Sequence, residues 1–235
     1  MAGRNAPRSR RSVGEAPDGP QRRVDRSEQP DAPASSTRGG RTPWHWLQSM
    51  PTLGTPLAPD LINPGSCWQL IKDLNGYARA SGESLATQAA AGRSFRVITP
   101  VDKLGTTRIR VQLLEDGYPC WLNVADLVGQ ACATTPPRPQ LLNSDAIAAR
   151  IPAVLAWLKV AAARPNDYLW GGTLGPDLDC SGLVQCAFAS AGIWLPRDAY
   201  QQERFCEPVA VRPGNDQLLR PGDLIFFGRP QRCTH

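Results

Sequence analysis

The chain has 235 residues, of which 41% are hydrophobic, with 26 Lys and Arg against 21 Asp and Glu for a net charge of +5. That length suffices for one large or two small cores, and the composition supports two. The basic excess invites nucleic-acid binding, but nine arginines against five carboxylates fall within residues 1–43. The rest is close to neutral, and no nucleic-acid partner is expected of it.

Residues 1–43 contain no aromatic residue and only two valines, too little apolar surface to offset the entropy of ordering. They are expected to be a disordered basic leader, a solvated tail rather than a binding arm. No 7–15-residue apolar run follows the early arginines and no stretch is long enough to span a membrane, so a cytoplasmic protein is expected. The seven cysteines are odd in number and form no CxxC pair, which suits a reducing compartment and argues against a disulfide framework or a zinc ribbon. Neither a metal site nor a cofactor is expected, and the sequence leaves the oligomeric state open.

Residues 44–66 are interrupted by Pro51, Pro56, Pro59 and Pro64 and are read as linker. From 67 to 130 the signals are those of short strands. In "TTRIRVQLLED", Ile109, Val111 and Leu113 fall on one face and Arg108, Arg110 and Gln112 on the other, the alternation of a half-buried strand. A turn at Asp116-Gly117 leads into a further apolar strand, and several such strands in so short a span suggest a small all-β barrel. "TTPPRPQ" lies in a second linker, 131–140.

The unit over 141–235 opens with helix. Ser144 is a plausible N-cap, and Ile147, Ile151, Leu155 and Leu158 recur at helical spacing, with Pro152 expected to kink the helix or begin a new one. A second helix is predicted over 180–191 with Gly192 as its stop. "LRPGDLIFFG" reads as a turn launching an apolar strand, Leu224 to Phe227, which makes this half α+β.

The chemistry concentrates in "YLWGGTLGPDLDCSGLVQCAF". Gly171, Gly172, Gly175 and Pro176 form a tight loop delivering Asp179-Cys180-Ser181-Gly182 to a helix start. There the dipole and free N–H groups favour a thiolate and can face a developing oxyanion. On local features alone, a nucleophilic Cys180 and a buried small residue at a tight junction are equally good readings. A cysteine nucleophile in acyl transfer needs a base, most often histidine. His45 lies in the linker, leaving His235 as the candidate; a terminal histidine is by default frayed and solvated.

"YLWGG", "DCSGLVQ", "GIWLPRDAYQQ" and "PGDLIFFG" followed by "TH", in that order, resemble the NlpC-type family of papain-like bacterial cell-wall cysteine peptidases over about 165–235. The region before them, with "SLATQAAAGR" and "EDGYPCWL", resembles the bacterial SH3-like domain of the two-domain members that act as γ-D-glutamyl-L-diamino acid endopeptidases. The resemblance implies an SH3-like barrel followed by a papain-like α+β catalytic domain. It implies Cys180 as nucleophile, His235 as base and Tyr168, twelve residues before the cysteine, as an oxyanion-positioning group. Asp179, Ser181 and Tyr118 are implied to receive the free amino end of a murein peptide, L-Ala-γ-D-Glu-diamino acid. Arg197 and Asp198 read as a structural ion pair or helix start, and Cys186 as packing.

The family also places a third polar residue about a dozen positions after the base, and this chain ends at His235. The catalytic domain is therefore expected to be C-terminally truncated and weak or inactive. The alternative is a peptide-binding protein that does not cut.

Overall fold

The computed structural model describes residues 51–99, 107–138, 140–209, 214, 217–229 and 232–235. The leader expected over 1–43 and the first part of the linker lie outside these residues.

Seven antiparallel strands form one sheet: β1 (Cys67–Leu70), β2 (Leu74–Tyr77), β3 (Leu85–Ala89), β4 (Ser94–Val97), β5 (Arg108–Leu113), β6 (Pro119–Asn123) and β7 (Ala131–Ala133). Their order is β3-β2-β6-β5-β4-β1-β7, with the short helix α1 (Val124–Leu127) between β6 and β7. The alternation in β5 places Ile109, Val111 and Leu113 in the core, where Ile109 pairs with Leu122 and Val111 with Cys120 across β6. Arg108, expected on the solvent side, is buried as well. Its guanidinium stacks 3.5 Å from the Tyr77 ring and donates to the Gly82 carbonyl at 2.6 Å, so the charge is both covered and hydrogen-bonded.

The described part of the 44–66 linker belongs to this β unit. Leu57 and Ile62 are buried in its core, and the Leu57 N–H donates to the Ala131 carbonyl at 2.8 Å while Thr55 accepts from Ala133 at 2.8 Å. Prolines remove individual donors from a ladder, but the residues between them still pair and still bury their side chains. The unit also runs past 130, because Ala131 and Ala133 alternate inward on β7 and pair with β1.

The second half packs α2 (Ser144–Ala162), α3 (Cys180–Ser190) and α4 (Ala199–Phe205) around Val154, Ala187, Phe188, Ile193 and Leu195. The N-cap of α2 is Asn143 rather than Ser144; its side-chain oxygen accepts from the Ala146 N–H at 2.9 Å. Pro152 does not end the helix. It lies on the exposed face, while Ile151 and Val154 on either side hold both turns against the core. Val154, not Leu155, is the buried member of the repeat.

The strand expected over Leu224–Phe227 is displaced toward the C-terminus. A two-residue ladder joins β8 (Gly228–Arg229) to β9 (Arg232–Cys233), and only Phe227 extends it, exchanging backbone bonds of 2.7 and 3.0 Å with His235. Among the described residues no strand flanks 224–226, and Ile225 and Phe227 stay exposed.

The two halves meet along the β3 edge. Gln88 of β3 exchanges bonds with Thr173 and Leu174 of the glycine loop, its carbonyl accepting from the Thr173 hydroxyl at 2.7 Å and its side-chain oxygen from both N–H groups at 3.1 Å. Asp116 is shared: Arg93 reaches it at 2.8 Å and the Gln185 amide donates to it at 2.9 Å.

Candidate active site

Cys180 is the first residue of α3, with Asp179 as N-cap accepting from the Gly182 N–H at 2.7 Å. The glycine loop before it is tight for steric reasons. Gly171 sits at φ +83, and a Cβ there would come within 3.0 Å of the Leu85 backbone on β3; a Cβ on Gly182 would overlap the Gly172 carbonyl. Loop, helix start and sheet edge therefore approach closer than any side chain allows.

The nucleophile candidate stands where two cavities join. One, of about 820 Å³, is lined by Cys180, Tyr168 and His235 together with apolar residues such as Leu183, Val184 and Phe226. The other, of about 430 Å³, lies against the β unit and is lined by Cys180, Asp179, Ser181, Tyr118 and Asp198. Cys180, Tyr168, His235, Asp179, Ser181 and Tyr118 thus each line one cavity or both, His235 the larger and Tyr118 the smaller.

The Tyr168 hydroxyl lies 3.9 Å from the Cys180 sulfur. Its pKa is raised above the ordinary tyrosine value, first by desolvation and then by its hydrogen bond with Cys180, so it remains a neutral donor at pH 7. His235 is held through its backbone on Phe227, whose ring centroid is 6.3 Å from the imidazole. Among the described residues no side chain hydrogen-bonds the imidazole, and none joins it to Cys180.

Asp179 and Ser181 do not present free groups to the cavity. The Asp179 carboxylate takes a two-pronged bond from Arg197 at 3.0 and 2.6 Å and further donations from Gly171, Gly182 and the Ser181 hydroxyl. The Ser181 hydroxyl also accepts from Arg197 at 3.0 Å. Arg197 is 1% exposed, so this is a buried, internally neutralised pair. It pairs with Asp179, eighteen residues earlier, rather than with its neighbour Asp198.

Asp198 starts α4, its N–H donating to the Gln201 side chain at 3.3 Å. Its carboxylate is in no ion pair among the described residues and accepts from the Tyr118 hydroxyl at 3.3 Å. Burial, and then the Asp198 charge, drives the Tyr118 pKa well above the usual tyrosine range, keeping the hydroxyl a donor. The smaller cavity is thus lined by two carboxylates, Asp179 and Asp198, against one guanidinium, Arg197, beside a neutral hydroxyl, a setting for an ammonium group. Sequence reasoning assigned Asp198 to structure alone; the signal that could have found it, its approach to Tyr118, spans 80 positions. Cys186 donates to the Thr173 carbonyl at 3.1 Å, and burial pushes its thiol up to about 11, as fits packing. Among the described residues no group of three His, Cys, Asp or Glu could hold a metal ion, and no helix is long and apolar enough to cross a membrane.

Comparison with known proteins places two family matches on the chain: residues 165–235 match the NlpC/P60 family and residues 76–127 the bacterial dipeptidyl-peptidase Sh3 domain. The gamma-D-glutamyl-L-lysine dipeptidyl-peptidase of Bacillus cereus is 32% identical over 141 residues, 59% of this chain and 36% of that protein. The bifunctional muramidase/DL-endopeptidase CwlT of Bacillus subtilis is 45% identical over 65 residues, 27% of this chain and 18% of that protein. The gamma-DL-glutamyl hydrolase of Bacillus subtilis is 47% identical over 62 residues, 26% of this chain and 14% of that protein. The chain thus spans about a third of the length of the first relative and under a fifth of the other two.

Proposed function

We propose, from the premise that this chain carries an NlpC/P60 domain behind a bacterial SH3 domain, that it is a cysteine peptidase of cell-wall peptides, hydrolysing the bond between γ-D-glutamate and a diamino acid in substrates with a free amino end. The observation that carries this is the position of Cys180: the helix-start cysteine lies between an anionic cavity toward the SH3 domain and a cavity faced by His235.

The acyl part, L-Ala-γ-D-Glu, fits the smaller cavity with its ammonium on Asp198 and Tyr118. A peptide whose amino end is blocked would leave the Asp198 charge unmatched in a partly desolvated site, which sets selectivity for the free end. The Cys180 sulfur attacks the γ-carbonyl, and the oxyanion faces the first-turn N–H groups of α3 and the Tyr168 hydroxyl. His235 takes the thiol proton as the sulfur attacks and gives it to the departing amine; water then hydrolyses the thioester, His235 taking its proton and returning it to the sulfur. Arg197 keeps Asp179 from opposing the negative sulfur by holding that carboxylate neutralised.

The test is turnover of L-Ala-γ-D-Glu-L-Lys and of the diaminopimelate analogue by the chain and by Cys180→Ala. Loss of at least about 10³-fold in the variant is expected; equal turnover removes Cys180 from the reaction. The Asp198 and Tyr118 pair in the smaller cavity also suits a second reading, a protein that binds such peptides without cutting them. That reading predicts peptide affinity that Asp198→Asn weakens, with no turnover by any variant.

A further inference from the structure

The Arg197 guanidinium does more than neutralise Asp179. Its Nη1 and Nη2 face Asp179 and Ser181, the two residues flanking the candidate nucleophile, while Nε donates at 3.2 Å to the Thr87 hydroxyl on β3, in the SH3 domain. Thr87 is fully buried, and its own hydroxyl is directed to the Gln88 carbonyl at 3.3 Å. That same carbonyl accepts from Thr173 at 2.7 Å in the loop that enters the nucleophile. A continuous set of hydrogen bonds thus runs from Asp179 and Ser181 through Arg197 to Thr87 and Gln88, and back through Thr173 into the glycine loop. Both arms of the segment holding Cys180 end on two consecutive residues of one edge strand.

We infer that Thr87 is a positioning residue for Cys180, acting through Arg197, so that the SH3 domain sets the alignment and reactivity of the sulfur as well as lining the cavity. A guanidinium fork is planar; the two bonds to Asp179 set its direction, and the Nε donor on its edge needs an acceptor of its own. Thr87 is that acceptor. Without its hydroxyl Nε is left buried and unsatisfied, so the fork shifts toward another acceptor and leaves the Asp179 carboxylate less completely matched beside the sulfur, which opposes a thiolate there. Thr87 is separated from the sulfur by two residues in the hydrogen-bond chain and is absent from the lining of either cavity that meets at Cys180.

The inference on Cys180 reactivity stands apart from the peptidase reading; its consequence for turnover rests on that reading. The experiment compares the full chain with Thr87→Val, which keeps the shape and removes the hydroxyl, and with Thr87→Ser, which restores it. The first readout is the rate of Cys180 alkylation by iodoacetamide at pH 7, followed by mass spectrometry of the Cys180 peptide; the second is kcat and KM on L-Ala-γ-D-Glu-L-Lys. Loss of a hydrogen bond to a charged group predicts alkylation slowed roughly tenfold in Thr87→Val. An equal fall in kcat, KM within twofold and recovery in Thr87→Ser are expected with it. Alkylation of Cys180 in Thr87→Val at the parent rate overturns the inference. So does a Thr87→Ser chain that loses the rate as Thr87→Val does, since the methyl group and not the hydroxyl would then matter. Slowed alkylation in Thr87→Val with no peptide turned over by any chain, the parent included, sustains the positioning role and defeats the peptidase reading.

Discussion

The SH3 domain and the NlpC/P60 half are built differently. In the first, Trp68, Phe95, Ile109, Val111, Leu113, Leu122 and Leu127 are all sealed from water in one core. In the second, the core cluster of the described residues has five buried side chains, and Val160, Phe205, Ile225 and Phe227 are more than half exposed. The site nevertheless sits in the sparsely packed half. Its order at Cys180 comes from polar and steric fixtures on the neighbouring sheet: the Arg197 fork, the Gln88 bonds and the contact of Gly171 with Leu85. Close packing holds the one half together, and directional bonds to that half hold the other's chemistry in place.

The sharpest way to break this contrast is a matched pair of core truncations. Trp68→Ala should cost about 3–5 kcal/mol in urea unfolding, whereas Phe188→Ala should cost clearly less, because its surroundings are already partly open and can collapse. Equal costs would mean that the two cores are equivalent. Next in size, Gly171→Ala should destabilise by about 1–3 kcal/mol, combining a positive φ with a Cβ pressed on Leu85. It should also lower turnover, since the loop can relieve the clash only by moving the segment that carries Cys180; unchanged kinetics would show that the loop yields elsewhere.

A smaller effect separates the thiols. Burial pushes Cys120 up to about 12 and Cys186 to about 11, from an ordinary value of 9.0. The folded chain retains those protons where the unfolded chain releases them, so their contribution to stability is complete below pH 9 and is lost as pH rises toward 11–12, at up to about 1.4 kcal/mol per pH unit for each thiol. Urea titrations between pH 8 and 10.5 check the sign: stability that rises with pH there would contradict it. Smallest of all, Ile225→Ser, at a site 63% exposed, should shift stability by under about 0.5 kcal/mol while reducing self-association seen by light scattering.

The sequence made the strongly periodic parts readable. The alternation of Ile109, Val111 and Leu113 located a central strand, and Asp179 before an apolar run ending at Gly192 located α3. It misled where a local rule met a compensating contact. Proline breaks helices in general, but the helix runs through Pro152 because Ile151 and Val154 beside it pack both turns on the core. The prolines of 51–66 suggested linker, yet Leu57 and Ile62 between them are core residues. Apolar Leu224–Phe227 suggested a strand, but a strand needs a neighbour, which apolarity alone does not supply. At the site, residue types and short spacings were legible while partner choice was not. Arg197 stands beside Asp198 in the chain and bonds Asp179 in space, and the freed Asp198 finds Tyr118 instead. Such choices are decided by chain segments many residues apart, which no local pattern encodes.

The clasp of Gln88 and Thr87 on the sheet's outermost strand also bears on inheritance. A sheet domain joined to an enzyme by a plain tether can be exchanged between genes like a cassette. Here excision would strip the cover from an edge strand ready to pair with other chains and would loosen the loop that carries the cysteine. Substitutions at Thr87 or Gln88 should therefore couple energetically to those at Arg197 or Thr173, a coupling that a double-mutant cycle reads.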